Sequence, residues 1–373
     1  MAVNTILLDF SVDPSTVKNE SQLPILATNV ENVLRDYLSN LKHVNSFNLN
    51  GGLVKIYTSD PGATINLRVY DNGLITVNID YFKGEEQEPI VTLRAEQGTS
   101  RRLIRDVQER VVAIKKAQSL TPLRRGSFMR YFVTSDERLL EYDIDEIVFE
   151  ETTPYQKVQI VHSKTLGNML VLDDLQNIAE SDLIYTETLM ARGKEDYKDK
   201  EIIILGGGDG ALLYELLKEK PKEVIMLEID EVVMRACAKH MRSICGEVLD
   251  KYSGPNYKII VGDCMKSIEE YIKEGRTFDY IFGDLTDIPI SESLSGQLWS
   301  FVNKILQMSF KLLKPDGKFM THLNGTSSPE AIEMYKSQLD KIRPPVNFTT
   351  SKAFVPSFME DWVFCQVSFE KDK

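Results

Sequence analysis

Four places in the chain combine residue types that do chemistry with a spacing that brings them together. Gly206, Gly207, Gly208, Asp209 and Gly210 follow the apolar run EIIIL, and an amphipathic stretch begins near Ala211. Glycines at such a bend let the backbone approach a ligand without an intervening Cβ, and the helix that follows offers unpaired N–H groups. This is how a nucleotide-like ligand is held at the end of a parallel strand. Glu228 closes the next apolar run about twenty residues on, where a carboxylate accepts both hydroxyls of a ribose. Asp263 closes the third run, placed for an adenine amino group, and Asp284 closes the fourth. Carboxylates at strand ends facing a ligand are candidate general bases or cation clamps.

Asp209 narrows the ligand. It sets a negative charge where a pyrophosphate would lie, so a nucleoside without phosphates, such as an adenosyl sulfonium, suits the turn better. At the amino-acid end of such a ligand an acid favours the amine over the carboxylate, and so favours a ligand that has lost its carboxylate. Tyr185, in AESDLIYTETL shortly before the glycine-bearing strand, is a further candidate for the pocket.

These residues need a parallel sheet to converge. From about residue 195 the chain alternates strand, turn and helix through EVIMLEIDEVVMRACAKHM, YKIIVGDCMKSIEEYIK and FDYIFGDL, which calls for a doubly wound α/β domain, expected over 176–373. Its last stretches, FTTSKAFVPS and DWVFCQVSFE, are expected to form an antiparallel pair. Residues 128–172 read as strands of a small antiparallel β subdomain, bounded at 121–175 after a linker at Pro122. Residues 1–120 mix helix and strand patterns. Asn72-Gly73 between two alternating runs predicts a hairpin, and Leu103, Ile104, Val107, Val111 and Ile114 predict a helix over 101–118 whose stripe is core or a subunit contact.

Composition sets the outer bounds. The 373 residues are 42% hydrophobic and 27% charged, as in folded globular chains, and 44 basic against 56 acidic residues leave a net charge of −12. That sign suits a cationic substrate and opposes binding to nucleic acid or an anionic membrane. Four cysteines without tight pairing or zinc spacing point to a reducing compartment, and an N-terminus without a basic leader points to the cytoplasm. No apolar run approaches a membrane span. His43, His162, His240 and His322 show no metal-ligand spacing, so neither a metal nor histidine chemistry is expected.

The motifs LEYDIDEIVFEETTPYQ, AESDLIYT, GGGDG, LEID, GDLTDIPIS and VPSFMEDWVF resemble, in order and spacing, those of the aminopropyltransferases, and within them the spermine synthase branch. The resemblance implies an adenosylmethionine-methyltransferase-like Rossmann domain, the small β subdomain before it, and an N-terminal α+β domain that resembles adenosylmethionine decarboxylase and forms a homodimer. It implies decarboxylated S-adenosylmethionine as co-substrate, held by Gln156, Gly206, Gly208, Asp209, Glu228, Asp263 and Cys264, with no tightly bound cofactor. Asp284 matches the family's proton acceptor, and Tyr185, Asp209, Asp284 and Glu360 match positions that contact the polyamine. The implied reaction gives spermine and methylthioadenosine from spermidine.

Two departures bear on the acceptor. Phe358 stands where that branch commonly has tyrosine, and Asp287 forms with Asp284 a DxxD pair that resembles the spermidine synthase pattern, so putrescine as acceptor and thermospermine as product stay open. A methyltransferase shares the sheet and the glycine turn, but Asp209 argues against a ligand carboxylate. A polyamine-binding scaffold without catalysis is opposed by Asp284.

Overall fold

Runs of β-branched residues alternating with amphipathic helices build the sheet that carries the strand-end acids. In the computed structural model, which describes residues 2–83, 99–126, 129–134, 136–285 and 297–370, this sheet has seven strands. Their order is Tyr257–Val261, Glu223–Glu228, Glu201–Gly206, Phe278–Asp284, Leu313–Gly325, Glu360–Phe369 and Val346–Val355, the first five parallel and Glu360–Phe369 antiparallel to both of its neighbours. Glu201–Gly206 has parallel neighbours on both sides, reached by connections that run in opposite directions. Such a switch point opens a crevice at the carboxyl ends of the strands. Ile202, Ile204, Val224 and Met226 pack into a core on one face of the sheet, Ile203, Leu205, Ile225 and Leu227 into a core on the other. Each such side chain, fully buried, contributes about 1.5–3 kcal/mol.

The chain forms two compact units, Met1–Met129 and Arg130–Lys373. The second begins with a hairpin of Tyr131–Val133 and Leu139–Glu141, then an antiparallel sheet of Ile144–Thr152, Lys157–Ser163, Gly167–Leu172 and Leu175–Ala179. The last strand is not evident in the sequence, because its turn is made by Asp173 and Asp174, both left-handed at φ 48° and 63°, rather than by glycine. The first unit is an antiparallel sheet in the order Lys42–Leu49, Gly52–Ser59, Ala63–Tyr70, Leu74–Lys83, Ala2–Val12 and Ile114–Ser119, with Leu123–Gly126 also paired to Ala2–Val12. Helices Gln22–Leu34 and Thr99–Arg110 pack Val30, Leu34, Leu103 and Val107 against Leu8, Ile65 and Val77. The hairpin at Asn72-Gly73 forms, with Gly73 at φ 90°.

Two expectations change. The helix expected over 101–118 ends at Arg110, because Ile114–Ser119 finds hydrogen-bonding partners along Leu8–Val12 and becomes a strand. The boundary expected at 120 falls after Met129, because Leu123–Gly126, read as linker, is held in the first unit by Ala2–Thr5. Asp287 and most of the GDLTDIPIS motif lie outside the described residues. No described helix is long and apolar enough to cross a membrane.

Candidate active site

At the switch point the backbone itself shapes the site. Gly206 has φ 86° and pairs in register with Asp284, and a Cβ there would run into the Asp284 carbonyl. A Cβ on Gly208 would lie 2.7 Å from Glu228 Oε2. Only glycine allows the approach at 206, where the obstacle is backbone, while a Cβ at 208 would require the Glu228 side chain to shift. Above the turn is a cavity of about 440 Å³, a size ordinary for a small-molecule site.

The cavity is lined by Gln156, Tyr185, Gly206, Gly208, Asp209, Glu228, Asp263, Cys264 and Asp284, nine of the ten residues that the family resemblance assigns to donor or acceptor. The tenth, Glu360, begins the strand Glu360–Phe369, buried against Gly325 and within electrostatic reach of Arg138, and is not among the lining residues. Phe358 does line the cavity, with its ring edge-to-face to Tyr185 at 6.1 Å and 4.6 Å from Trp362. Asp173, Asn177, Phe301, His322 and Trp362 also stand in the wall without having been assigned to the site. For His322 the signal was its place at the carboxyl end of the strand GKFMTHL. Trp362 N–H faces its Nδ1 at 3.4 Å and the Leu285 carbonyl its Nε2 at 3.3 Å, so Nδ1 accepts and Nε2 carries the proton.

Three of the strand-end acids are held by local bonds to the backbone that follows them. Asp209 Oδ1 accepts the Ala211 N–H at 2.8 Å, Glu228 Oε1 that of Asp230 at 2.8 Å, and Asp263 Oδ1 that of Met265 at 2.9 Å as the cap of helix Cys264–Glu274. Gln156 is turned by its amide donating to Asp230 Oδ2 at 3.1 Å. Asp284 Oδ1 accepts the Tyr185 hydroxyl at 3.1 Å. Burial, with Asp209 beside it, pushes the Asp284 carboxyl up to about 7, while the Tyr185 bond opposes that shift. Burial also pushes Glu228 up to about 7 and raises Asp209. The Cys264 thiol is pushed up to about 11 by burial, so it stays a neutral packing group. Five carboxylates and no lysine or arginine are among the described lining residues. Among the described residues no cluster of three or more His, Cys, Asp or Glu could hold a metal ion.

A doubly wound sheet with an acid-lined nucleoside crevice at its switch point defines the class: a Rossmann-like enzyme for a cationic nucleoside. The family model for the spermine/spermidine synthase domain matches residues 182–373, and that for the spermidine synthase tetramerisation domain matches 130–180. The chain belongs to the spermine/spermidine synthase family and is an aminopropyltransferase. Its class takes decarboxylated S-adenosylmethionine as co-substrate. It is 27% identical over 260 residues to the polyamine aminopropyltransferase of Aeropyrum pernix, covering 66% of this chain and 77% of that protein. With that of Clostridium tetani it is 31% identical over 188 residues, 49% of this chain and 63% of the other. The fold is shared with the spermidine synthase of Thermotoga maritima (TM-score 0.52, 20% identity, 65% of this chain and 79% of that one). It is shared also with a spermidine synthase solved with the transition-state analogue AdoDATO (TM-score 0.54, 21% identity, 65% and 80%).

Proposed function

We propose that this protein transfers the aminopropyl group of decarboxylated S-adenosylmethionine to spermidine, giving spermine and methylthioadenosine. The observation that carries the reading is the cavity wall, where five carboxylates meet with no described cationic side chain among them. A sulfonium and a polyamine are both cations, and an acid-lined site favours binding the two together. Gln156, Glu228, Asp263 and Cys264 hold the adenosine end, with Gly206 and Gly208 giving the ligand room. Asp209 takes the aminopropyl amine.

The chemistry balances without a further reactant. The acceptor nitrogen's lone pair forms a bond to the methylene carbon next to the sulfonium. The carbon–sulfur bond breaks with its electron pair going to sulfur, which leaves as a neutral thioether. The nitrogen must lose a proton, and Asp284, standing near 7, takes it while Tyr185 holds the carboxylate in place. Glu360, which the family resemblance alone set against the polyamine, is buried against Gly325 outside the cavity lining and takes no part in this reading.

The order of motifs supports spermidine as acceptor. Putrescine is the second reading, favoured by the solved structures of like fold, both named spermidine synthase. Purified protein given decarboxylated S-adenosylmethionine with equal putrescine and spermidine decides between them: spermine as main product supports the first, spermidine made from putrescine the second. Release of no methylthioadenosine defeats both. We infer further that the N-terminal α+β unit, with a fold like that of adenosylmethionine decarboxylase, joins two copies into a homodimer in the cytoplasm. Sedimentation of the full chain as a monomer would contradict the dimer.

A further inference from the structure

Asp182 begins the helix Leu183–Leu189, where an aspartate ordinarily caps its own helix through the N–H of the second or third residue. Its carboxylate does not cap the helix. Only 1% exposed, it accepts two backbone N–H groups from elsewhere: Oδ2 that of Ala179 at 2.6 Å, Oδ1 that of Ser357 at 2.9 Å. Ser357 is fully buried in the turn between the last two strands, and its carbonyl accepts the Tyr142 hydroxyl at 2.6 Å. That hydroxyl oxygen accepts in turn from Gln176 Nε2 at 3.1 Å. Residue 357 is thus gripped at both its N–H and its C=O. Phe358 comes next, in the cavity wall, followed by Met359 in the left-handed region at φ 56°, a conformation that costs a side-chain-bearing residue and persists only where its surroundings enforce it. On its other side, the Asp182 carbonyl accepts the N–H of Tyr185 at 2.8 Å, and Tyr185 is the partner of Asp284.

Resting on the reading of the cavity as a polyamine site, we propose that Asp182 is a positioning residue for the acceptor. Through Ser357 and Tyr185 it holds the Phe358 ring against Tyr185, and so sets the shape of the cavity wall along which the acceptor's aliphatic chain lies. Two N–H donors converge on this carboxylate, and only an acceptor at both oxygens satisfies them. An asparagine offers one acceptor and one donor, so Asp182→Asn releases either the strand end at Ala179 or the turn at Ser357.

The test has two arms. In steady-state kinetics with donor and acceptor varied separately, Asp182→Asn is expected to raise the acceptor KM by about ten-fold or more while the donor KM changes by less than about two-fold. Tyr142→Phe, which frees the other side of residue 357, is expected to move the same parameter in the same direction. Equal losses toward both substrates, or an unchanged acceptor KM in both variants, overturn the proposal.

The second arm needs no turnover. The chain has two tryptophans, Trp362 packed on Phe358 and Trp299 in the core, whose indole N–H has no hydrogen-bond partner among the described residues. In a Trp299→Phe background, acrylamide quenching of Trp362 is expected to rise by about two-fold or more on adding Asp182→Asn as the turn loosens. Unchanged quenching overturns the clamp even in an active enzyme. Raised quenching in a protein that transfers to no polyamine supports the clamp and overturns the acceptor reading on which its role rests.

Discussion

The Tyr185 hydroxyl donates to Asp284 Oδ1 at 3.1 Å, joining a helix to a strand end across 99 positions of sequence. The bond favours the charged carboxylate and so opposes burial and the neighbouring Asp209, which push Asp284 up to about 7. Tyr185→Phe removes that counterweight. Turnover is expected to fall about ten-fold, and the acid limb of the pH–rate profile to move to higher pH. A limb that stays in place would separate Tyr185 from the base.

Asp284→Asn keeps the shape of the base and loses its proton affinity. Turnover is expected to drop by about 100-fold or more, in the ordinary range for a general base, with methylthioadenosine binding preserved. Rapid-quench measurement of a single turnover checks the chemical step directly, and unchanged turnover would remove Asp284 from the role.

Asp284 and Glu228 stand at about 7 against ordinary values of 3.8 and 4.5, so between those limits the folded protein holds protons that the unfolded chain has released. Their stabilising contribution is full below the ordinary values and is lost as pH rises through about 7. The Tm of the unliganded protein is therefore expected to fall from about pH 5 to about pH 7.5, as far as these two groups set it. A cationic ligand favours the charged carboxylates, so its affinity should climb with pH over the same window, with protons released. Calorimetry in buffers of different ionisation enthalpy counts those protons, and uptake on binding would contradict the assignment.

Gly208→Ala sets a Cβ 2.7 Å from Glu228 Oε2. The glutamate side chain must shift, so donor affinity is expected to fall by about ten-fold or more, with little change in the acceptor KM. Titration with methylthioadenosine, which needs no acceptor, reads the effect.

Asp209→Asn removes the charge that sorts an amine from a carboxylate. Decarboxylated S-adenosylmethionine should bind less tightly, and its preference over intact S-adenosylmethionine should shrink by about ten-fold or more. An unchanged ratio would place discrimination elsewhere in the cavity.

The sequence by itself determined the parallel sheet and the acids at its edge. Apolar runs with helices between them can bury both faces only in a doubly wound sheet, and such a sheet brings the ends of its strands together, so Asp209, Glu228, Asp263 and Asp284 meet whatever the rest of the chain does. Periodicity could not decide where the helix after Thr99 stops, because Ile114–Ser119 becomes a strand only through its pairing with Leu8–Val12. Tertiary structure alone decided which side chains cross between elements. Glu360 sits against Gly325 rather than in the cavity wall, and His322 enters that wall from a strand with no motif of its own. Asp182 reads as a helix cap, yet its carboxylate reaches Ser357 across 175 positions. Local pattern reports what a residue can do with its neighbours in sequence. Where an alternative partner lies close in space, only the packing of the whole chain settles which bond forms.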